Sequence, residues 1–369
     1  MLAEAFSKQQ ITESMGEAAV RSAFLEQASA CERLGSSFVS QLCRLASANL
    51  ASDTRVGRHL LGWVGEPGPA GASVPLRLAG ALHGVVLLGL DEALAAVFPP
   101  QQTKPDDRAL WRAVETATRT HADFVLNWLE SAPQTNEVRR SVAVYCGLLA
   151  VAERFPLPID LLELGASAGL NLVADKYAHF LAGQISGNIG SALTLEPTWR
   201  GTAPAFNAKV FVASRSGCDL NPLNIKSEND LLRLKAYTWP DQRDRLDRLA
   251  QAASIAVANL MPGDIVKMDA AAFLGLQLAM PVKGRTRVVF HTIAWQYFTP
   301  KTQRQCEALI CAAGDRANAQ APQAWLSMEA DGPSDAALDL TLWPGGNKIR
   351  LARVDFHGRS INWLQKRAR

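Results

Sequence analysis

Pro158-Ile-Asp-Leu-Leu-Glu-Leu-Gly-Ala-Ser-Ala-Gly-Leu-Asn-Leu-Val173 joins a short apolar run to a turn of small residues. Ile159 to Leu164 reads as a strand, and a helix is expected from about Gly169 onward. Gly165 and Gly169, with Ala166, Ser167 and Ala168 between them, allow a ligand close to the backbone and leave N–H groups free at the start of that helix. Strand, tight turn and helix form the unit from which open parallel sheets are built, so this stretch sets the fold class of what surrounds it.

From about residue 157 onward, short runs rich in valine, isoleucine and phenylalanine alternate with amphipathic helices. The expected strands are Ile159–Leu164, Arg215–Asp219, Ile265–Asp269, Arg287–His291 and Ala324–Glu329. A terminal pair, Leu338–Trp343 and Ile349–Asp355, is joined by Pro344-Gly-Gly-Asn347, a hairpin signal. The alternation implies a mainly parallel sheet covered by helices on both faces, with an antiparallel closing edge. Upstream, the 3- and 4-residue apolar spacing predicts helices over Glu17–Cys31, Ser37–Leu50, Pro75–Leu90, Ala109–Leu129 and Val138–Arg154. Gly65 to Gly71 and the prolines at 99, 100 and 105 break them. The expected organisation is an all-helical N-terminal domain, 1–155, ahead of an α/β domain, 156–369.

A chain of 369 residues is long enough for two cores. Its net charge of +3 argues against a dedicated nucleic-acid binder, and the basic Lys366-Arg-Ala-Arg369 reads as a solvated tail. The longest apolar stretch, Leu78 to Leu90, is interrupted by His83 and glycines and is too short for a membrane span. The first residues lack a secretion signal, and the six scattered cysteines form no CxxC pair, so a cytoplasmic protein with buried free thiols is expected. The dispersed histidines give a metal site no support, and oligomeric state is not legible.

In an open parallel sheet, ligands bind beyond the carboxyl ends of the strands, where the strand order reverses. The expected strands end at Glu163 and Gly165, at Asp219 in Gly217-Cys-Asp-Leu-Asn-Pro222, at Asp269 in Val266-Lys-Met-Asp-Ala270, and at His291 in Val288-Val-Phe-His-Thr292. Four polar residues at consecutive strand ends are expected to converge on one crevice. On these residues the segment from 157 to 369 resembles the Rossmann-like class I S-adenosylmethionine-dependent methyltransferase fold. Glu163-Leu-Gly-Ala-Ser-Ala-Gly169 looks like that family's acidic-x-G-x-G-x-G loop, with Ser167 at the middle glycine. The resemblance implies S-adenosylmethionine as cofactor, with Glu163, Gly165, Ser167 and Gly169 at its methionine end, Asp219 on the ribose and Asp269 on the adenine. An acidic pocket also suits a cofactor carrying sulfonium and ammonium groups.

The whole chain is similar to an uncharacterised bacterial family, a domain of unknown function. The shared segments are Gln134-Thr-Asn-Glu-Val138 with Arg140, ELGASAGLNL, GCDLNP, TWPDQ at 238–242, VVFHTIAWQY at 288–297 and TLWPGG at 341–346. Two departures from the methyltransferase pattern stand out. Serine replaces a glycine at 167, and Asp219 follows Gly165 by 54 residues where about 20 is usual. An insertion around 183–210 fills the gap, either covering substrate or idle.

His291 is a candidate general base, because imidazole titrates near neutrality. It is equally readable as a hydrogen-bonded structural histidine. Trp295, Gln296 and Tyr297 are candidate acceptor-side residues, or core. Asn136, Glu137 and Arg140 either cap a helix or point into the crevice, where the arginine fork would hold a carboxylate. Asp241 reads as a helix cap. A small-molecule acceptor is expected, of unreadable identity. Two alternatives remain: a non-catalytic binding module on the same fold, or an α/β-hydrolase. In the hydrolase, Gly165-Ala-Ser-Ala-Gly169 is the G-x-S-x-G elbow, Ser167 the nucleophile, Asp269 or Glu329 the acid and His357 the base.

Overall fold

The computed structural model describes residues 2–203 and 208–365. The basic tail at 366–369 lies outside the described residues. The chain forms two compact units, residues 1–135 with 228–247 and residues 136–227 with 248–369. The helices are α1 (Leu2–Arg33), α2 (Ser37–Asn49), α3 (Arg55–Leu61), α4 (Val74–Leu87), α5 (Glu92–Val97), α6 (Asp107–Thr120), α7 (Ala122–Leu129), α8 (Ser141–Arg154), α9 (Glu228–Tyr237), α10 (Arg243–Asn259), α11 (Ala270–Gln277) and α12 (Pro300–Asp315).

The first unit holds α1 to α7, together with α9 and the start of α10. Polar side chains fix where its helices begin. Ser36, Thr54, Asp91 and Asp106 each accept a first-turn backbone N–H, of Val39, Gly57, Leu94 and Ala109. The apolar stretch that starts at Leu78 belongs to α4, which is buried around most of its circumference, as expected of a central core helix. Among the described residues, no helix is long and apolar enough to cross a membrane. The helix expected over 109–129 is two helices instead. His121 (φ −107°, ψ 32°) ends α6, with its N–H on Ala117 O and its imidazole 3.4 Å from the Asp91 carboxylate.

Segment 228–247 lies within the helical unit for identifiable reasons. Asp241 caps not its own helix but α2, accepting from Ser36 Oγ (2.6 Å) and Phe38 N (3.0 Å). Tyr237 packs over Gly80 of α4 beside Trp128. A Cβ on Gly80 would stand 2.5 Å from the Tyr237 ring. We expect Gly80→Val to cost about 1–3 kcal/mol by overpacking, read as a lower urea midpoint; an unchanged midpoint would refute this packing.

The strands all lie in the second unit: β1 (Ile159–Leu164), β2 (Ala178–Leu181), β3 (Gln184–Gly187), β4 (Thr194–Leu195), β5 (Thr198–Gly201), β6 (Val212–Asp219), β7 (Ile265–Lys267), β8 (Thr286–Thr292), β9 (Gln323–Ala330), β10 (Ala336–Trp343), β11 (Asn347–Val354) and β12 (Ser360–Trp363). A nine-stranded sheet runs β5-β12-β11-β10-β9-β8-β1-β6-β7. Strands β7, β6, β1, β8 and β9 are mutually parallel, while β9 to β12 pair antiparallel. The fold is therefore α/β, a helical part followed by a large, mostly parallel sheet with antiparallel strands. One face carries α11 and α12 on Leu162, Leu164 and Val289. On the sheet, α8 meets β9 where Gly147 leaves room for Leu326. The 136–154 segment, expected with the helices, thus packs with the sheet.

The 183–210 insertion is not a structureless loop where it is described. Its β3 and β4 flank β2 in a small three-stranded sheet, and β5 adds to the main sheet beside β12, with Trp199 stacked on Trp363. The helix expected from Gly169 does not form. Residues 166–174 run as buried turns into a 3-10 turn at Ala174–Lys176, and β2 begins at Ala178. Side chains from elsewhere hold an N–H at the start of this stretch and two carbonyls that a helix would have paired. Leu170 N–H donates to Asn136 Oδ1 (2.9 Å), Leu170 O accepts from the Tyr177 hydroxyl (2.7 Å), and Leu172 O accepts from Arg215 (3.0 Å). Tertiary partners override a weak local preference.

Candidate functional site

Strand order reverses between β1 and β8: from β1 the chain goes to β6 and β7 on one side, then to β8 and β9 on the other. The carboxyl ends of these two strands bound the switch point, where open sheets bind ligands. The turn after β1 folds back on β6, with Gly165 N–H and Ala166 N–H both donating to Cys218 O (2.9 Å each). Gly165 (φ 72°), Ser167 (φ 53°) and Gly169 (φ 74°) are all left-handed. The two glycines also leave space, since a Cβ would lie 2.7 Å from Ala294 Cβ at Gly165 and 2.4 Å from Ile265 Cδ1 at Gly169.

Ser167 adopts a conformation rare for a side-chain-bearing residue, and Asp219 holds it there. Asp219 Oδ2 accepts from Ser167 N–H (2.9 Å), Oδ1 accepts from Asn221 N–H (2.8 Å), and its backbone carbonyl accepts from Met268 N–H (3.0 Å). Asp219 therefore ties together the ends of β1, β6 and β7. It remains part-exposed, and each carboxylate oxygen has a further lone pair to offer. Asp269 lies just past β7 and caps α11, with Oδ1 accepting from Ala271 and Ala272 N–H (2.9 and 3.2 Å).

Glu163 is 1% exposed, and its Oε2 has no hydrogen-bond partner; the Ser167 hydroxyl is likewise buried and unpartnered. Burial, with the Asp219 charge adding to it, pushes the Glu163 carboxyl well above the usual range. Because that value is raised, the folded protein binds more protons than the unfolded chain above the ordinary 4.5, and stability falls as pH rises past it. Glu163→Gln removes this dependence. The variant-minus-wild-type stability should move in the variant's favour above pH ~4.5, by up to about 1.4 kcal/mol per pH unit. Denaturant titrations at several pH values test this; a pH-independent difference would contradict a buried ionisable Glu163.

Across the switch point, His291 is 2% exposed and both ring nitrogens are engaged. An indole N–H can only donate, so His291 Nε2 accepts from Trp325 Nε1 (3.0 Å) and Nδ1–H donates to Glu329 Oε1 (2.7 Å). Trp295 stacks on the imidazole at 4.8 Å. Neither nitrogen is presented to an acceptor, which fits the structural reading of His291 rather than the general base. Gln296 and Tyr297 are exposed, Tyr297 at 72%.

The 136–140 segment meets the crevice through backbone groups. Asn136 accepts from Leu170 N–H, and Glu137 is buried and caps the 3-10 turn Val138–Arg140. Arg140 donates to Phe356 O (2.8 Å) and Thr292 O (3.3 Å), so these arms of its fork hold protein carbonyls rather than a ligand carboxylate. Glu163, Ser167 and Asp219 are thus brought together, with Asn136 behind the turn, while His291, Trp295 and Arg140 shape the β8 side. Of the two residues that bond His291 there, Trp325 has no role in the sequence analysis, and Glu329 stands there only as an alternative acid of the hydrolase triad. The strand-end argument that selected Asp219 selects Glu329 as well, since it sits at the carboxyl end of β9. Two cavities, of about 560 Å³ (bordered by Glu153, Pro158 and Phe211) and about 20 Å³ (bordered by Arg285, Arg287 and Arg316), lie at the opposite, amino end of the strands.

A family described as an uncharacterized protein conserved in bacteria (DUF2332) matches residues 21–363, and the chain belongs to that family. No curated protein matches the chain.

Proposed function

We propose that this chain, as a member of that bacterial family, is an S-adenosylmethionine-dependent methyltransferase with a Rossmann-like domain, acting on a small-molecule acceptor. The observation that carries the reading is the pair of buried orphan atoms, Glu163 Oε2 and Ser167 Oγ, at the switch point beside Asp219. A buried polar group without a partner costs about 1–3 kcal/mol and is rare in native interiors. A ligand bringing donors to this turn would satisfy both.

The residues present fit the cofactor's chemistry. Glu163 would accept from an ammonium group, Asp219 from ribose hydroxyls, and Asp269 from the adenine amine. The turn's N–H groups at 165, 166, 167, 169 and 170 are already bonded within the protein, so the cofactor's own carboxylate has to be met elsewhere. Bound S-adenosylmethionine supplies an electrophilic methyl group. The chain's contribution is to orient it, because in-line transfer depends chiefly on alignment. Trp295 and Tyr297 would face the acceptor, and His291 would support the loop that carries them.

The hydrolase alternative draws on the left-handed Ser167, a geometry that suits a nucleophile elbow. Against it, Ser167 Oγ has no hydrogen-bond partner, so neither His357, the base this alternative assigns, nor any other histidine is bonded to it. Labelling of Ser167 by a fluorophosphonate would reverse this judgement.

Titration calorimetry with S-adenosylmethionine and its demethylated product tests the proposal. We expect both to bind, and Asp219→Asn to weaken binding at least ~10-fold, the worth of a charged hydrogen bond. No binding of either ligand at millimolar concentration would defeat the reading.

A further inference from the structure

The loop that leaves β8 carries a backbone feature that none of the assigned roles explains. Ile293 has φ 49°, a left-handed conformation that a β-branched side chain strongly disfavours. Its N–H still donates to Met328 O (2.8 Å), one step beyond the β8–β9 ladder. The chain then reverses so that the next two N–H groups, of Ala294 (3.0 Å) and Trp295 (3.2 Å), both point at Glu329 Oε1. The same oxygen accepts His291 Nδ1–H at 2.7 Å. Three donors thus converge on one oxygen at the end of β9, two of them from residues directly after the disfavoured one.

The surroundings keep this arrangement rigid. Trp325 donates to His291 Nε2 and fixes the tautomer that Glu329 requires. Trp295 and Trp325 lie 5.7 Å apart, both in ring contact with His291. Arg140 holds Thr292 O from the other side. The consequence reaches the glycine turn, because Ala294 sits where a Cβ on Gly165 would come within 2.7 Å of it. The placement of Ala294 therefore sets how closely the loop approaches the turn after β1.

We propose that Glu329 is a positioning residue for this site. Its carboxylate holds the 291–295 loop in the left-handed conformation that sets the width of the switch point, with His291 as a fixed strut between Glu329 and Trp325. The effect on ligand binding rests on the cofactor reading above; the hold on the loop does not.

The test compares Glu329→Ala with Glu329→Gln, whose amide oxygen can still accept the three donors. Hydrogen exchange of the peptide spanning 290–298 is followed in the ligand-free protein, and affinity for the demethylated cofactor product is measured on folded protein. For Glu329→Ala we expect the Ala294 and Trp295 amides to exchange at least ~10-fold faster, and affinity to fall by at least ~10-fold, the loss of charged hydrogen bonds. Glu329→Gln should stay within about threefold of wild type on both. A residue serving stability alone would lower the melting temperature and leave the affinity of the folded fraction unchanged. Should Glu329→Ala fail to fold, Trp325→Phe removes only the N–H to His291 and should loosen the same amides by a smaller factor. Wild-type exchange rates at Ala294 and Trp295 in a folded Glu329→Ala, or in Trp325→Phe if Glu329→Ala does not fold, would overturn the proposal, and so would unchanged affinity in a folded Glu329→Ala. If wild type itself binds neither ligand, the cofactor reading fails, and the exchange rates alone decide whether Glu329 holds the loop.

Discussion

After β1 the chain passes through the interior without becoming a helix, so its buried backbone groups must find partners outside their own segment. That requirement shapes the candidate site. Cys218 O receives the first two N–H groups of the turn, Asp219 the third, and Asn136 the N–H of Leu170. Tyr177 and Arg215 supply the carbonyls with donors, and Ser141 bonds the buried Asn171 side chain. These contacts bind β6, the 136–141 segment and Tyr177 to the turn, and Glu163 Oε2 is buried there without a partner.

The same logic accounts for several polar segments that stand out in the sequence. Asn136 in QTNEV, Asp219 in GCDLNP, Asp241 in TWPDQ and His291 in VVFHTIAWQY all bond main-chain or side-chain groups distant in sequence. Asp241 and the helix it caps are 203 residues apart at Phe38, and the bond draws segment 228–247 into the helical unit. Such side chains look like candidate catalysts in a linear reading because they are polar and punctuate element ends. Their first task here is to satisfy backbone that secondary structure leaves open.

Much of the architecture was legible before any coordinates. The β1 strand, the alternation that makes a parallel sheet, the hairpin at Pro344-Gly-Gly-Asn347 and the helical character of the first 129 residues follow from local periodicity and turn chemistry. The polar strand ends were legible too, including the one at Glu329, though not its bond to His291. Short strands β2 to β5 escaped because segments of 2 to 4 residues carry too little pattern. The missing helix after Gly169 escaped because its carbonyls are taken by side chains outside the turn, the Tyr177 hydroxyl and the Arg215 guanidinium, the latter more than 40 residues on.

By itself the sequence determined most of the longer helices and strands, which turns need glycine, and where acidic groups stand at strand ends, since these depend on neighbours within a few residues. Only the tertiary structure decided what those groups do. It placed Glu163 in the interior without a partner, set Asp219 against the Ser167 N–H, locked His291 between Glu329 and Trp325, and turned Arg140 onto carbonyls. The reason is physical: burial and hydrogen-bond partnership are set by what packs against a side chain, and those partners come from strands and loops that local sequence does not specify.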